Sequence, residues 1–126
     1  MNIVDPIITA VSEADIPCCG EYSSDRFEKK RGEVHAYAGI KKIILERLRS
    51  GVSDVTAYVR VTVQAFGSEG EAVRTAAEKT VIPAVVNSGA EIYGVEISEN
   101  FYDIKTDRVW CELIFEVRRH GYDICS

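Results

Sequence analysis

"VTAYVRVTVQAFGSEGEAV", residues 55–73, changes its rhythm halfway. From Val55 to Ala65 every second residue is apolar, which is the period of a strand with one buried face. Val55, Ala57, Val59, Val61, Val63 and Ala65 share that face, while Thr56, Tyr58, Arg60, Thr62 and Gln64 share the other. Then comes Gly67-Ser68-Glu69-Gly70-Glu71, followed by an alanine-rich helical pattern. Phosphate-binding loops also pass from a strand through glycines into a helix. They need bare backbone amides and usually a lysine, whereas Glu69 and Glu71 here would repel a phosphate. Ser68-x-x-Glu71 has instead the form of a capping box, with the serine accepting from an early helix N–H and the glutamate reaching back. The junction reads as a structural joint.

The residues before it set up the rest of the sheet. Asp5-Pro6 opens a helix, with Asp5 as a cap and Pro6 at the first helical position. Val4, Ile7, Ile8 and Val11 follow at helical spacing until Ile16-Pro17. Residues 18–33 are polar and aperiodic and read as a loop, with one short edge strand near Glu21-Tyr22. The basic cluster from Arg26 to Arg31 is read as solvated, with a phosphate patch as the competing reading. Val34 to Leu48 is ambiguous. Ile40, Ile43, Ile44 and Leu48 have helical spacing and Gly51 could cap a helix. Val34-His35-Ala36-Tyr37-Ala38 reads better as strand, however, and a break at Gly39 would leave a short helix. One long, bulged strand is favoured, turning through Arg49-Ser50-Gly51 into the strand at 55.

After the joint, a helix is expected to run to Asn87, burying Val73, Ala76, Ala77 and Val81, with a kink or an end near Thr80 to Ile82 because of Pro83. Ala90 to Ser98 is read as a strand, Glu99 to Thr106 as a polar connection, and Asp107 to Arg118 as the last strand. In that strand Val109, Cys111, Leu113, Phe115 and Val117 point in, and Trp110, Glu112, Ile114, Glu116 and Arg118 point out. Residues 119–126 are expected to form a loose tail. The expected fold is α+β in the order α-β-β-β-α-β-β. It is a single domain over residues 1–126: a mainly antiparallel sheet of four strands plus a short edge strand, with both helices on one face.

Composition narrows the function. A chain of 126 residues supports one domain, and its net charge of −5 argues against binding nucleic acid by phosphate neutralisation. The N-terminal residues lack the pattern of a signal peptide, and no apolar run approaches the roughly 18–20 residues of a membrane span, so a cytosolic chain with no membrane role is expected. Cys18, Cys19, Cys111 and Cys125 show no paired zinc-type spacing and are expected as free thiols. His35 and His120 belong to no catalytic signature, and the acidic run Glu96, Glu99, Asp103 and Asp107 fits no known cation loop. No catalytic, cofactor or metal residues are assigned and no cofactor is expected. The outward face of the sheet carries Tyr58, Arg60, Gln64, Trp110 and Ile114, a mixed aromatic and charged surface that suits a partner. Trp110, Ile114, Tyr58 and Arg60 are the candidate interface residues.

Three stretches also resemble a known family. They are the hairpin "VHAYAGIKKIILE…SDVTAYVRVTVQAFG", the proline-interrupted helix "SEGEAVRTAAEKTVIPAVV" and the closing hairpin "AEIYGVEISENFYDIKTDRVWCELIFEV". Over most of residues 3–118 they are similar to the tail terminator (tail completion, minor tail) proteins of long-tailed bacteriophages and prophages. The resemblance implies a structural virion-assembly protein without enzymatic activity. It would form a homo-oligomeric ring, a hexamer, that caps the tail tube and meets the head-completion proteins, so that it is found in the host cytoplasm during assembly and then in the tail or neck of the virion. An acidic lumen would let DNA pass without sticking. Two further readings stand beside it: a small α+β ligand- or protein-binding module acting as monomer or dimer, and an enzyme with a site built between subunits.

Overall fold

The computed structural model describes residues 2–22 and 33–123, so the Arg26 to Arg31 cluster and Cys125 lie outside the described residues. The chain forms, in order, α1 (Asp5–Glu13), β1 (Cys18–Gly20), β2 (His35–Arg49), β3 (Val52–Phe66), α2 (Gly70–Ala76), a π-helical turn (Ala77–Val81), α3 (Ile82–Val86), β4 (Ile92–Ile97), β5 (Phe101–Asp103) and β6 (Arg108–Asp123). The six strands make one sheet ordered β1-β2-β3-β6-β4, with β5 also paired to β6. All pairings are antiparallel except β1 with β2. The fold is α+β.

The alternation read at 55–65 decides this architecture. Val55, Ala57, Val59, Val61, Val63 and Ala65 are buried, as are Val109, Cys111, Leu113, Phe115 and Val117 beside them on β6. Ile7 and Val11 of α1 and Val73, Ala77, Val81 and Val85 of the second helical segment close over this face in one core cluster. Both helices therefore lie on one side. Burying a side chain the size of valine or leucine stabilises by about 1.5–3 kcal/mol, so the face-to-helix layer supplies most of the hydrophobic driving force.

The ambiguous segment 34–48 is one long strand with a bulge between Ile40 and Lys42 and a second irregularity between Glu46 and Arg49. Its helical spacing arises because the bulge shifts the alternation by one residue: Ile40 and Ile43 both face inward, opposite Val59 and Ala57. Ser50 and Gly51 turn the hairpin with φ of 49° and 80°, the pair of positive values that a tight two-residue turn requires, so Gly51 caps no helix.

Several expectations are corrected. The short edge strand is Cys18–Gly20 rather than Glu21-Tyr22, since Cys18 and Gly20 pair in parallel with Ala36 and Ala38. Asp5 is the first residue of α1, not its cap, and its N–H is accepted by Asn2 Oδ1 at 3.3 Å. The capping box at Ser68 and Glu71 does not form: the N-cap is Glu69, without a side-chain hydrogen bond. The connection 99–106 contains β5, which makes a sixth strand and continues the line of β4 along β6. Residues 119–123 extend β6 rather than forming a loose tail, pairing with Val52, Ser53 and Val55 of β3.

Helical conformation continues past Pro83, but the regular α-helix is interrupted at Ala77–Val81, just before Ile82, at the place of the expected kink or end. An α-helix turns about 100° per residue, so core residues spaced by four drift by about 40° at each step. Val73, Ala77, Val81 and Val85 have that spacing, and the π turn takes the drift back, so that all four stay buried. Pro83 then falls in the opening turn of α3, where its missing N–H leaves no gap.

Candidate functional site: the open face and edges of the sheet

The face of the sheet away from the helices is built in rows by the strand register. Lys42, Tyr58, Glu116 and Gly94 lie on one row, Gly39, Arg60, Ile114 and Glu96 on the next, and His35, Gln64, Trp110 and Phe101 near the far end. Tyr58, Arg60, Trp110 and Ile114, expected on one surface, do share it. They are not equally available.

Trp110 is half-buried by its own neighbours. The Arg108 guanidinium lies 4.4 Å from the centre of its ring, and Phe101 stacks at 5.6 Å in a tilted arrangement. Trp110 is thus partly covered within the chain, because β5 brings Phe101 across it. Arg60 is likewise engaged: its Nε donates to Glu21 Oε1 at 2.8 Å, and a second guanidinium nitrogen lies 2.6 Å from the same oxygen. A Cβ at Gly39 would stand 1.8 Å from the other oxygen of Glu21, so the absence of a side chain there lets this pair form.

Tyr58 and Ile114 do come together. They line an open trough of about 520 Å³ with Lys41, Lys42, Glu96 and Glu116, and the Lys42 ammonium sits 4.7 Å over the Tyr58 ring. A neighbouring concavity of about 430 Å³ is polar, where Arg108 Nε donates to Gln64 Oε1 at 2.6 Å and Gln64 Nε2 lies 3.4 Å from His35 Nδ1. The acidic run on the second hairpin is used structurally in part. Asp103 accepts from the Lys105 amide and the Thr106 hydroxyl, and Asp107 accepts from the Tyr102 hydroxyl, which shapes the turn into β6.

The edges of the sheet carry further exposed surface. Among the described residues, β2 is covered on its outer side only from Ala36 to Ala38, by β1. From Lys41 to Arg49 every residue of β2 is exposed, including Ile43, Ile44, Leu45 and Leu48, the last at 60%. At the opposite edge β4 is exposed along nearly its whole length, including Tyr93, Val95 and Ile97. The run Ile43-Ile44-Leu45 is the signal: three consecutive apolar residues in a strand put two on one side and one on the other, which a strand with one solvent face would not do.

The far end of the sheet is tied by polar contacts. Asp54 Oδ1 accepts from the Gly121 amide at 3.0 Å, with His120 Nδ1 at 3.6 Å and Arg47 at 3.7 Å from its carboxylate. The Gly121 hydrogen bond, then the neighbouring His120 and Arg47 side chains, hold the Asp54 carboxyl below its ordinary range. Cys18, Cys19 and Cys111 are free thiols, and burial pushes Cys18 up to about 12 and raises Cys111. No protein-family model matches the chain, and no curated protein matches it.

Proposed function

We propose that this chain is a structural assembly protein of a phage or prophage, a tail terminator that closes into a hexameric ring, caps the tail tube and joins it to the head connector. The observation that carries the reading is a sheet with two unlike exposed edges, β2 beyond Ile40 and β4, on opposite sides of one small domain. A ring is made by repeating one heterologous contact, and each subunit must offer two different patches for it. Exposed apolar side chains at both edges suit surfaces that are covered after assembly. The order of a long hairpin, a proline-containing helix and a closing hairpin is the order in which the chain resembles the terminator family. No catalytic step is assigned to it, and its partners are further copies of itself, the tail tube and the head-completion protein.

Sedimentation or mass photometry over a range of concentrations, with and without assembled tail tubes, tests this. A species of six 14.0 kDa chains, formed alone or on the tube end, is expected. A chain that stays monomeric at high concentration and ignores the tubes would overturn the proposal. A second reading, a small-ligand module, is favoured by the trough between Lys42, Tyr58 and Ile114. Saturable binding of an amphipathic anion that shifts the Tyr58 ring resonances, without assembly, would select it.

A further inference from the structure

The two edges differ in charge. Residues 40–49 of β2 carry Lys41, Lys42, Arg47 and Arg49 against the single acid Glu46, whereas residues 91–99 carry Glu91, Glu96 and Glu99 and no basic residue. Lysine on an open edge discourages indiscriminate strand pairing. Here two β2 edges repel each other, two β4 edges repel each other, and a β2 edge attracts a β4 edge. The sorting favours the unlike contact.

Strand direction and the two faces agree with the charges. β2 and β6 run one way, β3 and β4 the other. A rotation axis running along the strands carries each strand onto a copy running in the same sense, so around such an axis β4 of one subunit beside β2 of the next is an antiparallel pair. Ile43, Ala57, Val117 and Ile92 lie on one row across the sheet, and Ala38, Val61, Leu113 and Ile97 on another. The stretch of β2 that β1 leaves open thus begins level with β4. Ile43 and Leu45 are on the helix side with Val95 and Ile97, while Lys42 is on the open side with Glu96. A continued sheet would set apolar against apolar on one side and ammonium against carboxylate on the other.

We propose that β4 of one copy pairs antiparallel with residues 40–49 of β2 of a second copy, extending one sheet from subunit to subunit. This rests on the self-association proposed above and assigns its contact to the strand edges rather than to Trp110.

Paired charge reversals test it on the full chain. Lys41→Glu/Lys42→Glu makes the β2 edge acidic, and Glu91→Lys/Glu96→Lys makes the β4 edge basic. Each double variant alone should self-associate about tenfold more weakly or worse, because its edges now repel. An equimolar mixture of the two should regain assembly, since each edge then meets an opposite one in an alternating ring. Circular dichroism and melting of each variant should match the parent, which removes misfolding as the cause of any loss. If the parent forms a ring and the reversals leave it unchanged, the edge contact is wrong and the ring reading stands. Open filaments that respond to the reversals would keep the edge contact and overturn the closed ring. A parent that is monomeric at all concentrations with and without tail tubes, or a mixture that fails to recover, overturns the edge contact.

Discussion

Strands β2, β3 and β6 run through two different environments, and the halves of this one sheet follow different rules. In the near half, Ala36, Ala38, Val59, Val61, Leu113 and Phe115 are buried under the helices. In the far half, beyond Ile40 and Val55, the same strands leave the helical layer: β2 is exposed on both faces and Leu48 and Val52 stand in solvent. Polar ties replace the core there. Ser53 Oγ donates within hydrogen-bond reach of the Glu46 and Asp54 carbonyls, and Asp54 accepts from Gly121. Burial under the helices is thus concentrated at one end of these strands, and exposed apolar surface at the other.

Truncation gives the largest contrast. Phe115→Ala should destabilise the domain by about 3–5 kcal/mol in denaturant melts, since it removes a fully buried ring from under the helices. Leu48→Ala, at the exposed end, should change stability by no more than about 0.5 kcal/mol. Equal losses would erase the distinction between the halves. A smaller effect is expected at the junction: Gly39→Ala forces its methyl into the Glu21 carboxylate and should cost about 1–3 kcal/mol by displacing it from Arg60. A crystal structure of that variant with the Glu21–Arg60 pair intact would contradict this account.

Acid should loosen only the far half. The Asp54 carboxyl is held below its ordinary value, so its contribution is present above the unfolded-state value near 3.8 and is lost as pH falls through the lower folded-state value. The protection factor of the Gly121 amide should therefore fall below about pH 4 before those of the Val61 and Leu113 amides respond. Simultaneous loss at all three would mean that the ends are one cooperative unit. The smallest effect concerns the thiols. Burial raises Cys18 and Cys111, so both should react more slowly with a disulfide reagent at pH 8 in the native protein than after denaturation.

Much of the near half was legible in the sequence, because a strict period of two over Val55–Ala65 and Val109–Val117 leaves one way to bury those side chains. What was not legible came from contacts distant in sequence. Phe101 covers Trp110 because β5 joins β6, and Glu21 neutralises Arg60 across 39 positions. The capping box failed because the helix begins at Gly70 rather than just after Ser68, with the Asn100 side chain donating to the Gly70 carbonyl. The candidate surface was half legible: the open face was read correctly, while its edges needed strand order, which periodicity does not contain.

The exposed edges, rather than the open face around Trp110, are the surfaces proposed to meet another copy. Residue-resolved hydrogen exchange on dilute and concentrated protein tests this directly. Concentration should raise protection in residues 40–49 and 91–97 together, while the amides of Val59, Val61 and Leu113, already paired within the chain, stay as they were. Protection that rises around Trp110 and Phe101, with both edges still exchanging freely, would contradict it.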